Sequence, residues 1–537
     1  MMAEQQYDCI VIGSGIGGLA AASVLAQLAH KRVLVLERHF KLGGFTQTFT
    51  RRGYTWDVGL HYVPQMAEGN QTRSLFDFIT HAGVKWQKLP TRFDTFVYPD
   101  FTFTVSADPG QYLADLVQRF PAEEQGLRRY FHDLTQVATW YEREIWRWSV
   151  PAWLAWPLHF ANAGPAPLAL MTTREYLDRT FRDERLKALL TSQWMDYGLP
   201  PSQSAFAIHA LVAASYLQGA WYPTGGAQTI AASIVPLIEE AGGACLVNHE
   251  VVEILVENAV VRGVRARVKH GRTMEEREFL APLVVSDAGA YATFTRLMPG
   301  RGKLSFREEL EAFPQGSTSV TLYLGLKDSP RTLGFQGENH WLFSGYDHDD
   351  PHANGLVEGK ALTGFLSFPS LKDPEATRHT AEITTQVASQ AFADWHATTW
   401  MRRGETYRAR KASISEALLD LVEQHYPGFR DLVAYQELST PLTIESFTGH
   451  CGGAMYGLPA TPEKFRRHWF GAQTPVRGLL LTGADVCSLG IVGAMMGGVF
   501  TTGAALGPAG FLRVMAAAQA YGRTMRAEAA GALPLVV

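Results

Sequence analysis

A strand–turn–helix–strand unit near the N-terminus constrains the fold more than any other part of the sequence. Residues 8–12 form a short apolar run, typical of a buried parallel strand, and the glycine run 13–18 (GSGIGG) follows directly. An Ala- and Leu-rich helix pattern then continues to about Ala29, and a second apolar run, residues 32–36, ends in Glu37. This order and spacing predict a doubly wound α/β domain that binds a dinucleotide.

The glycines of this turn have separate tasks. Gly13 permits the tight turn, Gly15 lets a pyrophosphate approach the backbone, and Gly18 lets the helix pack on the strand. The helix N-terminus offers free N–H groups to the phosphates. Glu37 lies where an acid accepts the ribose hydroxyls of an adenosine, which disfavours the 2′-phosphate of NADP. The nucleotide-binding residues predicted in this unit are Gly13, Gly15, Gly17, Gly18 and Glu37.

The residues after Glu37 distinguish between the dinucleotides. Gly43-Gly44 follow a short linker, and residues 51–62 read RRGYTWDVGLHY. This extension resembles the second glycine signature of the FAD-dependent amine oxidase and phytoene desaturase superfamily, and its form ERHFKLGGFTQTF…GYTWDVGLHY is most similar to the retinol saturase and carotenoid isomerase branch. Phe45 departs from the arginine that many members carry there. The resemblance implies FAD, and the contacts it adds are Arg38, Gly43, Gly44 and His61.

A glycine-rich segment near the C-terminus returns to the same site. Residues 479–482 form a short apolar strand pattern, Gly483-Ala484-Asp485 ends it, and residues 490–498 place four glycines in a helix pattern. Glycine costs up to about 1 kcal/mol in a helix interior, so four of them indicate that another backbone approaches closely. The superfamily ends with such a strand, an acid near the flavin's ribityl–pyrophosphate region, and a helix that points at the flavin. By resemblance, the cofactor contacts here are Gly483, Asp485, Gly490, Ile491 and Val492.

Because both ends of the chain contribute to one site, the FAD-binding domain is predicted to be discontinuous. A middle piece belongs to it: a helix pattern over 227–241, strands around 245–268, and a strand over 279–288. By resemblance, this piece contributes Val252 and Asp287 to the cofactor site. We predict an α/β fold with a Rossmann-type FAD-binding domain (1–65, 221–300 and 475–510), a mixed α+β substrate-binding domain (66–220 and 301–474), a helical membrane-associating part, and a C-terminal tail (511–537).

The membrane prediction comes from the distribution of apolar residues. The chain is 46% apolar and 19% charged, and five of its 13 tryptophans lie between residues 140 and 156. Residues 148–173 contain no Asp, Glu, Lys or Arg, but four prolines and Gly164 interrupt them, which disfavours a spanning helix. Tryptophans beside flanking arginines are typical of the membrane interface. We therefore predict a docking segment over 140–173; the alternative is that these tryptophans lie in the protein core.

Composition excludes several other classes of protein. A formal net charge of −4 lacks the basic footprint of nucleic-acid binding. The four cysteines form no CxxC pair, so we expect neither a metal site nor a disulfide framework and infer a reducing compartment. With no secretory signal pattern at the N-terminus, the expected location is cytoplasmic and peripheral to a membrane. The sequence leaves the oligomeric state open.

The resemblance implies an oxidoreductase that saturates or isomerises a C=C bond of a lipophilic polyene such as a carotenoid or retinoid. A polyene has few polar groups, so we expect an apolar and aromatic pocket. Saturation needs a hydride from reduced flavin and a proton from a side chain. The candidate donors are His61, directly after the second glycine signature, and His450 and Tyr456 in TGHCGGAMYG. NAD(P)H is left open as the reductant, although a second nucleotide motif is missing.

Three alternatives share these glycine motifs or this fold. A phytoene desaturase-like dehydrogenase would run the redox step in the opposite direction. An amine oxidase usually presents an aromatic cage at the flavin, and CSLGIVGAMMGG supplies none. A non-enzymatic protein of the Rab GDP-dissociation-inhibitor type would bind prenylated proteins without flavin, which the complete set of glycines and Glu37 disfavours.

Overall fold

The strands define the architecture and are numbered in chain order. The computed structural model describes residues 7–149, 162–271, 273–298, 304–350, 355–467 and 471–529. The strands are β1 Cys9–Ile12, β2 Val33–Leu36, β3 Thr48–Arg51, β4 Tyr54–Asp57, β5 Val63–Pro64, β6 Trp86–Lys88, β7 Arg92–Val97, β8 Thr102–Ser106, β9 Ala220–Pro223, β10 Ala244–Leu246, β11 His249–Glu257, β12 Val260–His270, β13 Thr273–Leu280, β14 Val284–Ser286, β15 Thr318–Leu326, β16 Asn339–Phe343, β17 Thr363–Ser367, β18 Thr380–Val387, β19 Val433–Ser439 and β20 Leu479–Leu481.

The helices are numbered in the same way. They are α1 Ile16–Ala29, α2 Gln71–Thr80, α3 Pro109–Arg119, α4 Glu124–Ser149, α5 Ala166–Ala169, α6 Thr173–Thr180, α7 Glu184–Leu190, α8 Phe206–Ser215, α9 Gln228–Glu240, α10 Arg307–Ala312, α11 Pro369–Lys372, α12 Gly404–His425, α13 Phe429–Leu432, α14 Pro441–Thr448, α15 Pro462–Arg466, α16 Gly490–Ala505 and α17 Gly510–Ala529. A short 3₁₀ helix, Ser192–Asp196, matters for the site described below.

A five-stranded parallel sheet, in the order β10-β2-β1-β14-β20, forms the predicted Rossmann-type domain. Its strands are short and apolar because helices cover them; β1, β2 and β14 are buried throughout. β1, α1 and β2 begin and end within one residue of their predicted limits. Residues 279–288, predicted as one strand, instead contain the end of β13 and all of β14, with a turn between them.

The C-terminal segment completes this domain. β20 pairs in parallel with β14, and α16 packs along α1. Residues assigned to a tail from the sequence form α17 as far as Ala529, which packs on α16 and α2. Both chain ends therefore contribute to one side of the parallel sheet.

A seven-stranded mixed sheet, in the order β19-β15-β18-β17-β16-β7-β8, forms the centre of the second part of the molecule. Its pairings are antiparallel except for β16 with β7. One face packs on α12 in an apolar core, and smaller sheets, including β5-β9-β6, connect this part to the parallel sheet. The predicted combination of a Rossmann-type domain and a mixed α+β part is thus present.

The predicted docking segment lies only partly within the described residues. Residues 150–161, which include Trp153 and Trp156, are outside them. Trp140 is 3% exposed on α4 and packs on Phe465, so this tryptophan belongs to the core rather than to a surface. Among the helices of the described residues, none combines the length and apolar character needed to cross a membrane.

Candidate active site

The glycine turn between β1 and α1 is closed against other backbone segments. A Cβ on Gly17 would lie 2.5 Å from the Cα of Gly483, and one on Gly18 would lie 2.6 Å from the carbonyl oxygen of Gly13. Gly13 itself has a φ of +93°, in the left-handed region that favours glycine. The turn therefore has no room for side chains, as the close approach of a pyrophosphate requires.

Glu37 lies at the end of β2 directly beside this turn. Its carboxylate accepts hydrogen bonds from the backbone N–H and the hydroxyl of Ser14, at 2.9 and 2.6 Å, and from the N–H of His39 at 2.7 Å. The Ser14 hydroxyl in turn accepts from the N–H of Gly43 at 3.1 Å. Glu37 thus connects the first and second glycine signatures and stands at the position predicted for ribose recognition.

Two buried acids complete the cofactor side of the site. Asp485 accepts from the N–H of Leu458 at 2.8 Å and from that of Ala290 at 2.7 Å, which ties three distant segments together. Asp287 lies under the glycine turn, with Oδ2 2.5 Å from where a Cβ of Gly15 would be. Burial raises the pKa of Asp287 to about 7.

The glycines of α16 allow close approach to the cofactor domain. A Cβ on Gly498 would lie 2.6 Å from the carbonyl oxygen of Gly17 on α1, and Gly497 abuts the backbone of Gly483. Gly490, with a φ of +76°, begins the helix. Packing against α1 and the Gly483 turn therefore explains the two later glycines, while Ile491 and Val492 in the first turn line the central cavity.

One continuous cavity of about 1870 Å³ connects these elements. That is larger than the roughly 300–1,000 Å³ of a site for one small molecule, and fits a dinucleotide together with a substrate. The predicted cofactor residues that line it are Gly13, Gly15, Gly17, Glu37, Arg38, Gly44, His61, Val252, Asp287, Asp485, Gly490, Ile491 and Val492. The residues predicted with them that lie beside it, outside its lining, are Gly18, Gly43 and Gly483.

Beyond the glycine turns, the wall of this cavity is largely apolar and aromatic. Tyr62 stacks on Tyr216 with ring centroids 4.5 Å apart. Further aromatic residues of the lining include Phe45, Phe49, Tyr323, Tyr456 and Phe500. The pocket therefore has the character expected for a substrate with few polar groups.

The three predicted proton donors all line the cavity. Nδ1 of His450 is 2.8 Å from the carbonyl oxygen of Ala454, and burial lowers the pKa of its imidazole. Burial and the nearby Lys372 lower the pKa of His61 to about 3, so its ring is neutral at pH 7. Burial raises the pKa of the Tyr456 hydroxyl above its usual value. Each group lines the cavity, but none is a strong acid at neutral pH.

Behind His61 lies a buried polar cluster that the sequence did not reveal. Lys372 donates to the carbonyl oxygen of His61 at 2.9 Å, to the Ser367 hydroxyl at 2.7 Å and to the side chain of Asn339. Glu382 is fully buried, and its Oε2 lies 3.0 Å from Nδ1 of His61 without the alignment of a hydrogen bond. Burial raises the pKa of Glu382 to about 8 and lowers that of Lys372 to about 8. The cluster fixes the backbone at His61 from outside the cavity.

Comparisons with known proteins place this geometry among flavoenzymes. The family described as flavin containing amine oxidoreductase matches residues 16–337. The all-trans-retinol 13,14-reductase of Rattus norvegicus is 30% identical over 532 residues, 94% of this chain and 86% of that protein. The chloroplastic prolycopene isomerase of Arabidopsis thaliana is 24% identical, over 92% of this chain and 82% of that protein. A solved oxidoreductase from Methanosarcina mazei shares the fold, with a TM-score of 0.60, 16% identity, and coverage of 91% of this chain and 98% of that one.

Proposed function

The chain belongs to the flavin containing amine oxidoreductase family, in the branch of the retinol reductases and prolycopene isomerases, and we propose that it saturates or isomerises a C=C bond of a lipophilic polyene with FAD as cofactor. This membership confirms the family that the two glycine signatures predict. It also confirms the predicted enzyme class, a flavin-dependent oxidoreductase. The chain's own substrate and its contacts to FAD are the parts that we propose.

The single observation that carries the proposal is the continuity of the cavity. The glycine turn with Glu37 and the aromatic residues Tyr62 and Tyr216 all line this one cavity. A bound FAD supplies a two-electron donor or acceptor at its ring system. The chain would hold its phosphates at the glycine turn, its ribose at Glu37 and its ring near Ile491 and Val492, and an apolar substrate would lie against the aromatic wall.

The family match does not support a role for NAD(P)H as reductant. The test of activity therefore reduces the FAD-loaded protein chemically. We expect the FAD-loaded protein, reduced by dithionite without oxygen, to convert at least one member of a panel of retinoids and carotenoids. Mass spectrometry of the product distinguishes the reactions, because a gain of two hydrogens indicates a saturase, and an unchanged mass with altered retention indicates an isomerase.

Other outcomes of this assay would contradict the proposal. Loss of two hydrogens from a polyene by the oxidised protein would identify a desaturase-like dehydrogenase. Oxidation of amines with no change in any polyene would identify an amine oxidase. A colourless protein that fails to take up FAD would favour a lipid-binding protein of the GDP-dissociation-inhibitor type.

We also propose that the protein docks on a membrane at one opening of the cavity. Phe40, Trp400 and Met401 line the cavity and are 63%, 43% and 79% exposed. Phe447 joins them, with ring centroids 5.1 Å from Trp400 and 6.4 Å from Phe40. Exposed apolar side chains around a cavity mouth support entry of a lipid substrate from a bilayer.

Flotation with vesicles of phosphatidylcholine and phosphatidylserine tests this surface. We expect a protein with Phe40→Ser, Trp400→Ser and Met401→Ser to bind at least about tenfold more weakly, since burying each such side chain contributes about 1.5–3 kcal/mol. The matched control changes Met274→Ser and Leu280→Ser, two exposed apolar side chains on β13 away from the cavity. Equal binding by both variants, or no binding by the unmodified protein, would contradict docking at this surface.

A further inference from the structure

Asp196 is an acidic residue that lines the cavity and belongs to none of the sequence motifs described above. It ends the 3₁₀ helix Ser192–Asp196, and its Oδ2 lies 2.7 Å from the hydroxyl of Tyr62. Tyr62 directly follows His61, and β5, which begins at the next residue, contacts α16, the helix whose first turn lines the cofactor side of the cavity. Gly198, two residues after Asp196, abuts Tyr456. Asp196 therefore lies in the wall where a substrate would meet the flavin.

The Tyr62 hydroxyl stands between two carboxyl groups. Besides Asp196, it lies 3.4 Å from Oδ2 of Asp94, which is completely buried. A phenol carries one hydrogen, so it can donate to only one of the two carboxyl groups at a time. Two buried carboxylates that share one donor repel each other, which favours retention of a proton on one of them.

The remaining partners decide which acid keeps the proton. Burial raises the pKa of Asp94 to about 7; hydrogen bonds that it accepts from the side-chain amides of Asn339 at 3.0 Å and Gln193 at 2.9 Å limit this rise, so its pKa stays below that of Asp196. Within the described part of the chain, Asp196 has no hydrogen-bond donor other than Tyr62. The proton therefore resides on Asp196, from which Tyr62 can accept a hydrogen bond while donating its own hydrogen toward Asp94.

The charged and titratable groups around Asp196 change its pKa in opposite directions, and burial outweighs those that lower it. Burial is the main cause that raises the pKa of Asp196 to about 8; Asp94 raises it further, and Tyr62 and the more distant Lys372 lower it. Tyr216 and Tyr456 face Asp196 as neutral phenols, because burial raises both of their pKa values.

We propose that Asp196 is the acid that protonates the polyene, with Tyr62 as its positioning residue. The inference rests on the proposed function. A bound reduced FAD would supply the hydride to one carbon of the C=C bond, and the Asp196 carboxyl would supply the proton to the other, so that the product gains two hydrogens and the two electrons come from the cofactor. Asp196 is left as an anion, and the Tyr62 hydroxyl turns to donate to it across the same 2.7 Å. Water entering the open cavity after product release restores the proton.

Replacement Asp196→Asn tests the donor directly, because asparagine preserves the shape of the side chain but has no acidic proton. We expect the rate of C=C reduction to fall by about 100-fold or more, as for loss of a general acid, while FAD absorbance and polyene binding stay unchanged. Asp183→Asn is the matched control: Asp183 caps α7 just upstream through Arg185 and Leu186, and asparagine caps a helix equally well. A loss of less than about tenfold in Asp196→Asn would overturn the assignment.

Two further measurements separate a catalytic role from a structural one. Tyr62→Phe removes the donor to the anion, so we expect a lower kcat, an unchanged KM, and an alkaline limit of activity at higher pH than in the unmodified enzyme. The infrared difference spectrum between the FAD-loaded unmodified protein and Asp196→Asn at pH 7 is expected to contain a protonated carboxyl band, because the other neutral carboxyls, such as that of Glu382, cancel. The corresponding difference for Asp183→Asn should lack this band. Absence of the band from the Asp196→Asn difference would overturn the inference, whereas failure to convert any polyene would contradict the proposed function.

Discussion

Replacing Gly17 by alanine is expected to give a protein that retains no flavin. The added Cβ would lie 2.5 Å from the Cα of Gly483 and 2.8 Å from Oδ1 of Asp287. Because the contact at Gly483 is with backbone, the clash can be relieved only if the β1–α1 glycine turn and the turn at Gly483 move apart. The proposed phosphate site depends on the positions of both turns. We expect gel filtration with excess FAD to yield colourless protein, and the free energy of unfolding to fall by about 1–3 kcal/mol, as for overpacked cores.

The control for this substitution is Gly345→Ala. Gly345 lies in an exposed turn with an ordinary φ, and a Cβ there would meet no atom within 4 Å. We expect this variant to bind FAD with the stoichiometry of the unmodified protein. If Gly17→Ala bound FAD equally well, the contact between the first glycine turn and the Gly483 turn would not be required for the cofactor site.

The second large effect is expected from Lys372→Met. Lys372 is 3% exposed, and its loss would leave the carbonyl oxygen of His61 and the side chains of Ser367 and Asn339 without their donor. It would also remove a positive charge that lowers the pKa of the buried Glu382. We expect the free energy of unfolding, from urea denaturation, to fall by about 3–5 kcal/mol, the range for breaking a buried charge cluster.

Two variants show which part of the cluster carries this effect. Lys360→Met changes an exposed lysine and is expected to alter stability by no more than about 0.5 kcal/mol. Adding Glu382→Gln to Lys372→Met is expected to cause little further change at pH 7, because burial raises the pKa of Glu382 to about 8 and its carboxyl is already neutral there; the loss then comes from the hydrogen bonds of Lys372. A change below about 1 kcal/mol in Lys372→Met would contradict a structural role for the cluster.

The strand–turn–helix–strand unit with Glu37 could be predicted from the sequence because its residues are local. A glycine turn, its helix and the following acid lie within 30 consecutive residues, and their spacing reflects one strand–helix–strand unit. The proposed chemistry at Asp196 was not predictable in this way. Asp196 and Tyr62 are 134 residues apart, and Lys372 lies 311 residues from the carbonyl group that it holds. Only the tertiary fold brings such pairs together, and no spacing rule marks them.

The tryptophan-rich segment shows a second limit of sequence patterns. The sequence around a tryptophan is similar whether the side chain lies at a membrane interface or in a protein core. Trp140 is buried because α4 packs against α8 and Phe465, partners that come from far along the chain. Among the exposed apolar residues at the cavity mouth, Phe40 lies far in the sequence from Trp400 and Met401, and the three form one surface only when the chain is folded.

The pairing of β20 with β14 has a consequence for biosynthesis. Residues 9–286 can align four strands of the parallel sheet as they leave the ribosome, but β14 then presents an unpaired edge. β20, the Gly483 turn and α16 emerge only after residues 287–478 have been translated. We therefore expect FAD to bind only after α16 has been translated, and a nascent chain that stalls before residue 479 to expose the unpaired edge of β14 to aggregation.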